Sequence, residues 1–159
     1  MTEKYMAVKV AAVGIVGFIT AKFGWLGWLI LLYVACVLVD MITGWCKAIK
    51  SGTWSSQVAR NGLWHKAGAI FAVGVAAGAD FLVSLAVENV AGLSVEFKGA
   101  FLPIVLVWYI LTEMGSIIEN AGELGAPIPK FLVKCISVLK NAAEKAGDVT
   151  AGEDLNVKK

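Results

Sequence analysis

Four acidic residues interrupt or border apolar stretches of this 159-residue sequence: Asp40, Asp80, Glu113 and Glu119. An ionised carboxylate near the middle of a membrane helix costs roughly 2.5–3.5 kcal/mol, so Asp80 requires water, a polar partner or a proton. The sequence leaves open whether Asp80 faces water in an assembly or is protonated and hydrogen-bonded in a packed bundle. Asp40 can be stabilised by interfacial water, either as an acid that ends an apolar run or as a functional group.

Residue patterns for metal, nucleotide or nucleophilic chemistry do not occur in the sequence. It has one histidine, His65, and three cysteines without paired or metal-ligand spacing, and it contains neither HExxH nor GxxxxGK[ST]. The formal net charge of +2 is too small to indicate nucleic-acid binding. We therefore expect no catalytic residue, no metal, no cofactor and no nucleic-acid partner.

The composition is that of a membrane protein. Hydrophobic residues make up 58% of the chain and charged residues 16%, whereas soluble domains average roughly 45–50% and about 25%. Four apolar runs approach or reach the ~20 residues that a helix needs to cross a bilayer. They cover residues 5–21, 23–42, 67–87 and 99–118. The sequence thus predicts an all-α integral membrane protein with a single domain over residues 1–159 and about four transmembrane helices. The first run contains Lys9, Gly14 and Gly17; if it lies on the membrane surface, three spans remain.

Basic residues determine the expected orientation. The segment 44–66 between the second and third runs has four basic residues and no acid, so the positive-inside rule predicts a cytoplasmic loop there. With four spans both termini are then cytoplasmic, and the turn at Lys22 and the loop 88–98 face outward. Each basic residue near an anionic leaflet contributes ~1 kcal/mol. The residues expected to contact the inner leaflet are Lys50, Arg60, Lys66, Lys130 and Lys134.

The third run carries small residues of the kind that let membrane helices pack closely. Gly74 and Gly78 form a GxxxG step, and a neighbouring row of mostly small residues repeats at every fourth position. The spacing does not decide whether the partner helices belong to the same subunit or to other copies. The candidates for self-association, or for lining a water-filled assembly, are Gly68, Ala72, Gly74, Ala76, Gly78, Asp80 and Ser84.

A fifth helix is predicted after the fourth run. Glycines and prolines in "NAGELGAPIPK" end one helix and begin another. Within 130–146, apolar positions recur on one helical face, with Lys134, Asn141 and Lys145 on the other. This pattern is typical of an amphipathic cytoplasmic tail that lies on the inner membrane surface or packs against a neighbouring helix.

Two separated segments resemble one known family. "DMITGWCKA" resembles the D-x-x-T-G-x-x-K-A segment of the phage-lysis and clostridial toxin-secretion holins, of the phage holin family 4 type. "EMGSIIENAGELGAPIPK" resembles that family's E-x-x-S-I-x-E-N-x-x-x-x-G-x-P-I-P-K pattern after the last span. The positions that match the two patterns are Asp40, Thr43, Gly44, Lys47, Ala48, Glu113, Ser116, Ile117, Glu119, Asn120, Gly125, Pro127, Ile128, Pro129 and Lys130.

The resemblance implies a small phage-encoded protein that oligomerises in the bacterial cytoplasmic membrane and opens lesions at a set time. Such lesions collapse the proton-motive force and release an endolysin, or a toxin in the secretion variants. The membrane protein and the released protein need not contact each other directly. Two alternatives from other functional classes remain. One is a non-lytic membrane adaptor whose basic loop and tail recruit a soluble partner, and the other is a small ion channel or transporter that uses Asp80.

Overall fold

Five helices make up nearly all of the described chain in a computed structural model, which describes residues 2–90 and 99–152. They are α1 (Thr2–Phe23), α2 (Trp25–Lys50), α3 (Ser56–Asn89), α4 (Phe101–Glu123) and α5 (Lys130–Ala151). The helices α1 to α4 are long and apolar enough to cross a membrane, and no strand occurs in the described ranges. The predicted all-α class, with four candidate spans and a further helix, is confirmed.

The helices extend further than the apolar runs. α2 continues to Lys50 and α3 begins at Ser56, so the segment 44–66, which the sequence predicts as a loop, contains two helix ends joined by a short turn. Gly52 adopts a positive φ of 69° in this turn. The Ser55 hydroxyl then caps α3 by accepting a hydrogen bond from the Val58 N–H at 3.1 Å.

Two other predicted segments are only partly described. α5 reaches Ala151, beyond the predicted end at residue 146, and ends where Gly152 adopts a positive φ of 82°. Residues 91–98, which form most of the predicted outer loop 88–98, and the tail from residue 153 onward lie outside the described residues.

α4 is the central helix and packs against α2, α3 and α5. It runs parallel to α2, since Tyr33 lies near Tyr109 at a ring-centroid distance of 6.1 Å and Lys47 lies near Glu123. α3 runs antiparallel to both. Leu106, in the second turn of α4, is completely buried. The buried core cluster consists of Tyr33, Cys36, Ala69, Leu102, Leu106 and Ile110.

Within the described ranges α1 packs only against α2. The two helices meet closely at Gly27, where a Cβ atom would lie 2.8 Å from the carbonyl oxygen of Ile19, so a larger residue there would push them apart. None of the residues in the apolar stretch of α1 that is long enough to cross a membrane is buried, and only 6% of those in the corresponding stretch of α3 are buried. Most of the apolar surface of these two helices therefore faces outward.

Candidate functional site

A buried charge cluster joins α2, α3 and α4. The Lys66 Nζ atom lies 2.8 Å from Asp40 Oδ2 and forms a second ion pair with Glu113 Oε2. The side chains of Lys66, Asp40 and Glu113 are 14%, 13% and 5% exposed. Because two carboxylates share one ammonium, the cluster has a formal charge of −1 and depends on further hydrogen-bond donors.

Asn120 and Thr43 supply hydrogen bonds next to Asp40. The Asn120 side-chain amide donates to Asp40 Oδ1 at 3.0 Å and contacts Thr43 Oγ1 at 3.3 Å. The Thr43 hydroxyl donates to the backbone carbonyl of Asp40 at 3.1 Å. Gly44 faces the same amide, since a Cβ at this position would lie 3.7 Å from Asn120 Nδ2. Asp40 therefore has an amide donor as well as a cation, which reduces the cost of its burial.

Two further lysines of α2 bind the end of α4. Lys47 pairs with the Glu123 carboxylate at 2.8 Å, and Lys50 Nζ donates to the carbonyl oxygens of Glu123 and Leu124 at 3.2 and 2.7 Å. The last carbonyls of a helix lack intrahelical partners and favour a positive charge. Both lysines are at least partly exposed, so each contact contributes no more than about 1 kcal/mol.

The two segments that carry the family resemblance meet in this site. Asp40, Thr43, Gly44 and Lys47 follow the helical spacing of three and four residues, which places them on one face of α2. That face lies against the side of α4 that presents Glu113 and Asn120. The two motifs thus form opposite sides of one helix–helix interface.

Lys66 and Glu123 are the members of this interface that sequence reasoning misses. The sequence predicts Lys66 at the inner leaflet, whereas the structure directs its ammonium toward two buried carboxylates. The sequence does contain a signal for this contact, because Asp40 and Glu113 are acids within apolar runs and each needs a cation or another polar partner. Lys50 donates to carbonyl oxygens at the end of α4, while Arg60, Lys130 and Lys134 are exposed. Contact of these three residues with the inner leaflet stays a prediction.

The remaining motif positions shape the end of α4 and the start of α5. Gly125 adopts a positive φ of 99° in the turn, and Pro129 immediately precedes the first residue of α5. Pro127 lies exposed in the same turn. Ser116 lies in the groove between α4 and α5, and Glu119 is exposed at its edge. Ala48 is buried.

Asp80 caps the beginning of α4. Its Oδ1 atom accepts hydrogen bonds from the backbone N–H groups of Ala100 and Phe101 at 3.0 and 2.9 Å, and Oδ2 accepts one from Leu102 at 2.8 Å. These are the N–H groups that a helix leaves without partners, and the positive end of the helix dipole favours a carboxylate there. The structure therefore places Asp80 in a packed bundle, with both oxygens acting as acceptors.

The small residues of α3 divide between two faces. Ala76 is buried and lies on the Lys66–Asp80 face toward α4, and Ala72 lines a cavity between α3, α4 and α5. A Cβ atom at Gly68, Gly74 or Gly78 would have no described atom within 4 Å, apart from its own helix backbone. The Ser84 hydroxyl lies 3.2 Å from Glu88 Oε1 and donates to it. The GxxxG step is therefore open to contact from outside the subunit.

A cavity of about 150 Å³ lies beside the charge cluster, between α2 and α3. Asp40 and Lys66 form its polar end, and Trp45 and Trp54, whose rings meet edge to face at 6.1 Å, form part of its wall. Among the residues that the structure describes, no group of three His, Cys, Asp or Glu side chains is arranged to hold a metal ion.

Comparisons with known proteins agree with the motif pattern. Residues 17–141 match the model of a family described as the bacteriophage holin family. The chain is 32% identical over 120 residues to an uncharacterized protein of Halalkalibacterium halodurans, covering 74% of this chain and 84% of that protein. It is 30% identical over 105 residues to an uncharacterized protein of Clostridium perfringens, covering 66% and 70%. No solved structure matches the chain.

Proposed function

Because the chain belongs to the bacteriophage holin family, we propose that it oligomerises in the cytoplasmic membrane of a bacterial host and opens lesions there. The lesions dissipate the proton-motive force and allow an endolysin, or a toxin in a secretion system, to leave the cytoplasm. The observation that carries this proposal is the unpaired apolar surface of the subunit. In the apolar stretches of α1 and α3, 0% and 6% of the residues are buried, so these helices need lipid or other copies as partners.

The outward face of α3 supports self-association. Gly74 and Gly78 lie on this face with open space above them, and Phe71 and Val75 beside them are 75% and 73% exposed. Glycines let a second helix approach closely, and the large neighbouring side chains then gain van der Waals contacts. We therefore assign this surface to contact with the equivalent surface of a second copy.

The buried charge cluster supports a role for α2, α3 and α4 as a preformed unit. Ion pairs shielded from water fix the relative position of helices because any displacement leaves a charge uncompensated. Subunits can therefore associate through the outer faces of α1 and α3 without rearranging this unit. On the basis of charge we place the N-terminus and the turn between α2 and α3 in the cytoplasm.

The channel alternative has little support from Asp80, because both carboxylate oxygens already accept backbone hydrogen bonds. The adaptor alternative predicts no effect on membrane potential. The discriminating experiment is induction of the chain in bacteria with and without a co-expressed endolysin, followed by a potential-sensitive dye and culture turbidity. We expect abrupt depolarisation in both cultures and lysis only with the endolysin, while the endolysin alone gives neither. An unchanged membrane potential would overturn the proposal.

A further inference from the structure

α5 lies along α4 as an antiparallel partner. The contacts begin at Ile128, which lies in the turn before α5 and close to Gly122 of α4. They end at Gly147, where a Cβ would lie 3.8 Å from Ile104. Between them the Lys140 ammonium lies 4.3 Å from the ring centroid of Trp108. Ile104 and Trp108 both belong to the predicted span 99–118, with Trp108 near its middle. Wherever α4 crosses the membrane, α5 therefore lies at the same depth.

α5 is too polar to be surrounded by lipid at that depth. Unlike α1 to α4, α5 is not apolar enough by composition to be a candidate membrane span. Each charge at the bilayer centre costs roughly 2.5–3.5 kcal/mol. The stacking of Lys140 on Trp108 offsets about 0.5–2 kcal/mol of this cost for one residue. The charged residues of α5 are Lys130, Lys134, Lys140, Glu144, Lys145 and Asp148.

The helical period gives α5 three distinct faces. Ile136, Lys140, Ala143 and Gly147 face α4. A second face is apolar and exposed, and it fits acyl chains; its large members are Phe131, Leu132 and Leu139, at 74%, 38% and 49%. A third, polar face lies to one side of these two. The polar flank, as we call it, consists of Lys134, Asn141, Lys145 and Asp148.

We propose that α5 crosses the membrane beside α4 in the assembled protein, and that its polar flank lines a water-filled path between copies of the chain. This inference rests on the proposed lesion-forming function and adds the residues that contact water. A length of 22 residues corresponds to about 33 Å at 1.5 Å per residue, which is enough to cross a hydrocarbon core of ~30 Å. The C-terminal end of α5 then lies outside, in contrast to the expectation that both termini are cytoplasmic.

A disulfide trap tests the position of α5. In a background with Cys36→Ala, Cys46→Ser and Cys135→Ser, the pair Ile104→Cys and Gly147→Cys is oxidised in membranes of depolarised cells, and linked peptides are identified by mass spectrometry. We expect the linked peptide, because an α5 that crosses the membrane brings residue 147 beside residue 104, near the outer end of α4. The matched control pair, Ile104→Cys with Lys130→Cys, joins opposite ends of the hairpin and stays reduced. A pair at 104 and 147 that also stays reduced in depolarised cells would overturn the proposal.

A second measurement, independent of the cysteines, tests the hydration of the polar flank. The purified full chain and its Lys134→Glu/Lys145→Glu variant are compared in planar bilayers under a potassium chloride gradient. Charge reversal should shift the reversal potential toward cation selectivity, whereas Arg60→Glu, at the exposed start of α3, should leave it unchanged. An unchanged reversal potential with conductance retained would refute the lining role and leave the lesion function intact. Failure of the unaltered chain to conduct or depolarise would instead refute the proposed function.

Discussion

Replacement of Lys66 by methionine tests the buried charge cluster directly. Methionine retains an unbranched apolar side chain and removes the ammonium that pairs with Asp40 and Glu113. Two carboxylates then remain in a site where their side chains are only 13% and 5% exposed. Removing one partner of a buried ion pair costs about 3–5 kcal/mol. At ~1.4 kcal/mol per factor of ten, the ratio of folded to unfolded protein should fall by roughly two to four orders of magnitude.

Two comparison variants separate charge from shape. Arg60→Met removes a cation at an exposed position of α3 and should change the free energy of unfolding by no more than about 0.5 kcal/mol. The triple variant Asp40→Asn/Lys66→Met/Glu113→Gln removes every formal charge of the cluster and preserves the approximate side-chain volumes. We expect it to recover much of the stability that Lys66→Met loses, because no uncompensated charge stays buried.

The free energy of unfolding is measured in mild detergent by titration with a denaturing detergent. Tryptophan fluorescence provides the signal, since Trp45 and Trp54 lie beside the cluster. Equal stability of Lys66→Met and Arg60→Met would refute the claim that Lys66 is held by buried carboxylates. A triple variant as unstable as the single one would show that packing, and not charge, causes the loss.

Three further predictions concern the cap, the outer face and the orientation. Asp80→Ala removes the acceptors for the first N–H groups of α4 and should cost about 0.5–2 kcal/mol of stability. Asp80→Asn keeps one acceptor, so it should lose less stability, and it should shift the onset of lysis while membrane insertion persists. Equal unfolding curves for the unaltered chain and the two variants would contradict the cap. Gly78→Leu should lower the yield of cross-linked oligomers and delay depolarisation without changing subunit unfolding, and a yield equal to that of the unaltered chain would argue against this surface. A single cysteine at Thr53, in the cysteine-free background, should react with an impermeant thiol reagent only in permeabilised cells, and reaction in intact cells would reverse the orientation.

The spans could be predicted from the sequence because hydrophobic length is a property of each segment alone. The helix ends could not be located in the same way. Lys47 and Lys50 mark where the chain leaves the apolar region, but charged residues continue a helix readily, and α2 accordingly extends to Lys50. The end of an apolar run therefore indicates a membrane boundary rather than the end of a helix.

The pairing within the charge cluster could not be predicted, because it depends on how separate helices meet. Lys66 and Glu113 are 47 residues apart in the chain, and no local spacing determines which base faces which acid. Similarly, Asp80 is recognisable as an unusual acid in an apolar run, but its partners are backbone N–H groups at the start of α4. Backbone donors have no signature in the amino-acid sequence.

The spacing of the first motif follows from the parallel arrangement of α2 and α4. Each residue turns a helix by about 100°, so moving Lys47 by one position would direct it away from Glu123. Asp40 and Lys47, two turns apart, contact α4 at Asn120 and Glu123, and Asp80 holds the opposite end of α4. α4 is thus fixed at both ends by polar contacts within one subunit, and the assembly that we propose through α1 and α3 would leave those contacts intact.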